Sequence, residues 1–108
     1  MRSLVAVIVV TAVLLYVTPL LAADTAAGKD LYGKKCASCH GAAGEGKDSV
    51  AKMFKVELKH LGSKEIQVKT DADFKKIVLE GAGKMKGVKD VDAKGADDVI
   101  AFVRTLKK

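Results

Sequence analysis

Apolar positions are distributed along this chain in two distinct ways. From Leu4 to Val17 they run almost unbroken, interrupted only by Thr11 and Tyr16, with Arg2 before them and Pro19 and the small pair Ala22-Ala23 behind. Basic, apolar, helix-breaking, small is the order of a secretory signal. Cleavage is expected after Ala23, which makes 1–23 a leader and 24–108 the folded domain. Leu4–Ala23 is 20 residues, long enough to span a bilayer if the segment stays on as an anchor. Pro19 and the small-residue end favour removal.

From Asp24 onward the apolar spacing is helical. Asp24 or Thr25 can cap a first helix that runs from about Ala26 through His40. Gly28 and Tyr32, four apart, share one face of it. Gly41 and Gly44 break this helix, and Gly44-Glu45-Gly46 reads as a loop. Asp48 or Ser49 caps a short helix ending near Phe54; Lys55 to Gln67 alternates only weakly and reads as loop or a short turn. Thr70 is a good cap for a helix over 71–80, with Phe74, Ile77 and Val78 at i, i+3 and i+4, and with Asp71 and Asp73 where the dipole favours acid. Gly81 ends it as a C-cap glycine, and 83–87 is a glycine-bounded loop. Asp92 opens a last helix to about Leu106, whose buried stripe is Ala96, Val99, Phe102, Val103 and Leu106. With no strand-period pattern and no internal repeat, the class is all-α.

Composition narrows this further. At 108 residues the chain holds one domain, and 24–108 is only 85 residues, with 18 Lys+Arg against 13 Asp+Glu. So small a domain usually needs a staple beyond its own core. The lysines are interleaved with acidic residues, and the aromatics after the leader are only Tyr32, Phe54, Phe74 and Phe102. Clustered basic residues with stacking partners, the signature of nucleic-acid binding, are missing.

The chemistry is concentrated in Cys36-Ala37-Ser38-Cys39-His40. C-x-x-C-H is the attachment signature of a c-type haem. On one helical turn the two sulfurs reach the two vinyl groups of one porphyrin edge as thioethers, and His40 falls beneath the iron as its proximal ligand. Three plainer readings stand beside it: a structural disulfide in an exported chain, a thioredoxin-like redox pair, which would need a βαβ pattern, and a zinc site, which lacks a fourth ligand. A six-coordinate iron needs a partner opposite His40. The candidates are Met53, His60 and Met85. Met53, beside Phe54 in a helical stretch, reads as core filler, and His60, in a lysine-rich loop, as a surface residue. Met85 stands alone between glycines, 45 residues beyond His40, where no packing stripe calls for it; it ranks first and His60 second.

With these residues in place, 24–108 resembles the class I c-type cytochromes, small bacterial monohaem electron carriers. The resemblance rests on Cys36, Cys39 and His40, on Gly83-Lys84-Met85-Lys86-Gly87 as the distal loop, and on Gly28 and Tyr32 against Val99 and Phe102 as an interhelix contact. It implies a bundle of three to four helices around one covalently attached haem c, with His40 and Met85 as axial ligands. It also implies a periplasmic, monomeric one-electron carrier, not an enzyme, cycling between Fe(III) and Fe(II). Two features depart from the family: Lys86 stands where a proline usually follows the ligand methionine, and no proline or tryptophan occurs after the leader. A carbonyl orienting the other nitrogen of His40 is still expected. Lys84, Lys86 and Lys89 beside the distal loop, and Lys34, Lys35 and Lys47 beside the attachment motif, would steer an acidic redox partner. Membrane association is expected only if the leader is retained. The alternative is a haem peroxidase or gas sensor with a labile sixth ligand, although Arg104 is the only arginine after the leader.

Overall fold

A computed structural model describes residues 22–108; the leader expected over 1–23 lies outside them except for Ala22 and Ala23, which are exposed. The described chain is mostly helical, in the order α1 (Thr25–Lys35), α2 (Ala37–His40), α3 (Asp48–Phe54), α4 (Lys64–Gln67), α5 (Asp71–Glu80), β1 (Gly81–Ala82), β2 (Met85–Lys86) and α6 (Ala93–Thr105). The three long helices start where the caps predict. The side chains of Asp24, Thr70 and Asp92 accept the backbone N–H of Ala27, Asp73 and Gly95, respectively.

Three expectations need correction. The first helix does not run unbroken to His40: it stops at Lys35, and α2 is a separate turn. Lys47, not Asp48 or Ser49, is the N-cap of α3, and it makes no side-chain capping bond. The expected bundle of three to four helices is present as α1, α3, α5 and α6; among the described residues α2 and α4 add two four-residue turns too short to show a period. The glycine-bounded loop is a minimal antiparallel hairpin, Gly81 pairing with Lys86 and Ala82 with Met85; strands of two residues carry no alternation to read. Among the described residues, no helix is long and apolar enough to cross a membrane.

The core lies where α1 and α5 pack on α6. Tyr32, Phe74, Val99, Ile100, Phe102 and Val103 form one buried cluster, and the Tyr32 and Phe102 rings stand 5.0 Å apart, tilted by 55°. The approach of α1 to α6 depends on Gly28: a Cβ there would sit 1.8 Å from the Asp98 carbonyl oxygen. A residue that costs helix stability is thus used where only a bare Cα fits. Asp98 is buried as well, and its carboxylate accepts the Asp24 backbone N–H at 2.8 Å and the Lys94 ammonium at 2.9 Å. At the other end of α6, Arg104 ties down the turn before α5. Its guanidinium donates to the carbonyls of Gln67 and Lys69, each at 2.6 Å, and to Asp71 at 2.8 Å. It also lies 4.6 Å from the centre of the Phe74 ring.

Gly28→Ala should therefore force the two helices apart. Chemical denaturation of the purified protein is expected to show a loss of about 3 kcal/mol, the upper range for an overpacked contact; an unchanged midpoint would contradict the crossing described here.

Candidate functional site

The cysteine motif sits where α1 gives way to α2. The Cys36 N–H still closes on the Tyr32 carbonyl at 2.8 Å, but Cys36 leaves helical geometry at φ −120°, ψ −35°. The chain then makes one tight turn, the N–H groups of Cys39 and His40 returning to the Cys36 carbonyl at 3.2 and 3.0 Å. The loop beyond is tied back onto this turn. Gly46 N–H donates to the His40 carbonyl at 2.7 Å, and Lys47 N–H to the Cys39 carbonyl at 3.0 Å. The Tyr32 hydroxyl, fully buried, donates to the Gly41 carbonyl at 2.6 Å. Burial, with Cys36 and Glu45 adding to it, pushes the Tyr32 phenol up to about 12, so it remains a donor through the neutral range.

Both cysteines are free and half-buried, so the disulfide reading is not realised. Burial, with Cys39 adding to it, pushes the Cys36 thiol up to about 11. A redox-active pair needs the opposite shift. Among the described residues, no group of three or more His, Cys, Asp or Glu side chains comes together to hold a metal ion.

Beside the motif lies a cavity of about 150 Å³. Its walls are Tyr32 from α1, Cys36 at the cap that follows it, Phe74, Ile77 and Val78 from α5, and Val99, Ile100 and Val103 from α6, closed by Leu61, Ile66 and Lys69. His40 and Met85 both line it, although 45 residues separate them. Cys39 is half-buried and does not line it. His40 is half-buried, and burial holds its pKa below the ordinary imidazole range, which keeps the ring in the neutral form that binds metals. Its Nδ1 is buried without a hydrogen-bond partner. The orienting carbonyl expected for this histidine is therefore not in place.

Met85 reaches the cavity because of the hairpin. Gly81 adopts φ +88°, in the left-handed region, and a Cβ there would come within 2.5 Å of the Met85 carbonyl oxygen. Val88 N–H then donates to the Val78 carbonyl at 2.8 Å, folding the hairpin back along α5. The other two ligand candidates lie elsewhere. Met53 is 68% exposed, so it is neither core filler nor a wall of the cavity. His60 is half-buried rather than a free surface residue; its Nδ1 accepts the Gly62 N–H at 2.8 Å, and it does not line the cavity.

A covalently held porphyrin suits these residues. The walls are aliphatic and aromatic, a neutral imidazole with an orphaned ring nitrogen stands at one side, and a thiol and a thioether open onto the same space. The surface turned to this space is apolar, which favours an apolar body there over water.

Comparison with known proteins agrees. Residues 23–103 match the family described as cytochrome C oxidase, cbb3-type, subunit III. Cytochrome c-554(547) of Halothiobacillus neapolitanus is 32% identical over 92 residues, covering 80% of this chain and all of that protein. The chain belongs to the c-type cytochromes. It is thus an electron carrier in general character, and membership implies covalently bound haem c. Among solved structures, the fold is shared with the KustC0563 c-type cytochrome, at a TM-score of 0.64 and 23% identity over 75% of this chain and 98% of that one. It is shared also with cytochrome cL from Hyphomicrobium denitrificans, at 0.59 and 25% identity over 78% of this chain but only 48% of that one.

Arg104 and Asp98 were missed as structural residues by sequence reasoning. Arg104 had a signal, being the sole arginine among many lysines after the leader. Asp98 had none, since nothing in the sequence distinguishes it from its neighbour Asp97.

Proposed function

We propose that this chain is an exported, periplasmic, monohaem c-type cytochrome that carries one electron at a time, with Cys36 and Cys39 as thioether anchors and His40 and Met85 as axial ligands. The observation that supports this is a single apolar cavity lined at once by Cys36, His40 and Met85. When bound, haem c supplies a one-electron Fe(III)/Fe(II) couple. The protein's part is to bind, orient and exclude water. Cys36 and Cys39 would fix the porphyrin edge to the turn that Tyr32 holds through Gly41. His40 would present a neutral nitrogen, and the Gly81 hairpin would present the Met85 sulfur; this pairing favours ferrous iron and raises the potential. Phe74, Ile77 and Val78 on one side and Val99, Ile100 and Val103 on the other would keep solvent from the ring.

A peroxidase or gas sensor would need a distal acid–base pair. The guanidinium of Arg104 is instead engaged with Gln67, Lys69 and Asp71, and Nδ1 of His60 with Gly62. Electron transfer is therefore the better-supported reading.

Lys34, Lys35, Lys47, Lys84, Lys86 and Lys89 are all exposed. They flank the two segments that would hold the porphyrin, and the reading assigns them to steering an acidic redox partner in a brief encounter. Lys35 shares part of its charge with Asp90 at 4.0 Å.

Two measurements test this reading. The ferric wild type should show a methionine–iron charge-transfer band that Met85→Ala abolishes, and only the variant should bind carbon monoxide readily once reduced. A band that survives the substitution, or a wild type that takes carbon monoxide readily, would remove Met85 as the ligand. The second-order rate with an acidic redox partner should fall roughly tenfold from low salt to ~0.5 M; a rate indifferent to salt would remove the steering role.

A further inference from the structure

Asp24 is tied down through its carbonyl, its side chain and its own N–H. Its carbonyl accepts the Gly28 N–H at 2.9 Å, its side chain accepts the Ala27 N–H at 3.1 Å, and its own N–H donates to the Asp98 carboxylate at 2.8 Å. The residues before it, Ala22 and Ala23, are exposed and small, and they end the apolar leader. The point where the chain becomes anchored is thus the point where the sequence pattern expects it to be cut. Asp98 is an unusual partner for one backbone amide. Among the described residues it is the buried charged one, 6% exposed, and it already holds Lys94 through both carboxylate oxygens, at 2.9 and 3.1 Å.

We propose that residue 24 is the mature amino terminus and that Asp98 is the built-in counter-ion for its α-ammonium, so that removal of the leader after Ala23 locks α1 onto α6. The proposal rests on the leader reading given above. In the cleavage step, water adds across the Ala23–Asp24 amide bond. Its hydroxyl goes to the Ala23 carbonyl carbon, which leaves as a carboxylic acid, and its hydrogen goes to the Asp24 nitrogen; that amine takes up a further proton at neutral pH. An export-pathway peptidase is the class of catalyst required. The product replaces a neutral N–H donor at Asp98 with a cation.

Charge explains why a buried carboxylate is placed here. A positive terminus at the N-cap of α1 would oppose the positive end of the helix dipole. The carboxylates of Asp98 and of Asp24 itself offset it. Asp98 is held ionised, its pKa lowered first by Lys94 and then by the Asp24 N–H. The charged groups facing this corner are Asp24, Asp92, Lys94, Asp97 and Arg104, with Asp71 from α5. Lys94 is held above its ordinary value, chiefly by its hydrogen bond to Asp98. Between about pH 8 and 10 the α-amino group is the one that changes charge. Paired with Asp98, its pKa in the folded state rises above the unfolded value. The stabilisation is then complete below about pH 7.7 and is lost as the pH rises through the folded value.

The test starts from the holoprotein exported with its own leader. Intact mass and amino-terminal sequencing should give Asp24 as the first residue. Asp98→Asn is then made both in this protein and in one that retains Ala22-Ala23. At pH 7 the substitution should lower the folding equilibrium constant at least roughly tenfold more in the processed form, the equivalent of one pKa unit. That excess should vanish by about pH 10. In the processed wild type, the α-amino pKa read by NMR should lie above the ordinary range of about 7.7–8.0, and this value decides the matter if the variant does not fold. A terminus at another residue, an equal loss in both forms, or an ordinary α-amino pKa would each overturn the proposal. The haem spectrum would be unchanged in all three cases, so that failure stays separate from failure of the electron-carrier reading.

Discussion

Where α1 crosses α6, the backbone at Gly28 lies so close to the Asp98 carbonyl that a methyl group would stand 1.8 Å from the oxygen. That contact sets the position of the rest of α1. One turn further on, Tyr32 lies against Phe102, and its hydroxyl reaches past the end of the helix to the Gly41 carbonyl. The cysteine turn lies between those two points. The reactive segment is therefore positioned by α6, which lies some sixty residues away in sequence, rather than by its own short helical turn.

The opposite side is organised by different means. Arg104, near the far end of α6, gathers the carbonyls of Gln67 and Lys69 and the carboxylate of Asp71, and covers the Phe74 ring. This fixes the start of α5. The other end of α5 is turned back by Gly81, whose left-handed backbone brings the short hairpin and Met85 to the cavity. The two walls face one apolar space that the side chains alone do not fill. With so few fully buried side chains among the described residues, the domain depends on an apolar body there. The cofactor of a c-type cytochrome is thus part of the core as well as the redox element.

Much of this was legible in the residues. The caps Asp24, Thr70 and Asp92, the stripe on α6, the Gly28–Tyr32 face and the C-x-x-C-H motif are local patterns, and local hydrogen bonds and helical period decide them. The place of Met85 on the cavity wall was legible in a different way, from an apolar residue with no packing stripe to join. What could not be read depends on distant contacts. The break at Cys36 comes from tying the loop after His40 back onto its own turn, and the hairpin from a glycine pressed against a neighbouring carbonyl. Met53 looked like filler because helical sequence suggests burial, but α3 turns that side chain to solvent. Arg104 and Asp98 make their important bonds to segments far away along the chain, which no spacing rule reaches.

The central claim is that a single porphyrin is bonded to this chain through Cys36 and Cys39 and completes its core. It is tested most directly by the intact mass of the exported protein under denaturing conditions, read together with its pyridine haemochrome spectrum. The account predicts a mass of polypeptide plus one haem that survives unfolding and acid–organic extraction, with a haemochrome of the two-thioether type. A colourless polypeptide mass, or haem that extraction removes, would contradict it.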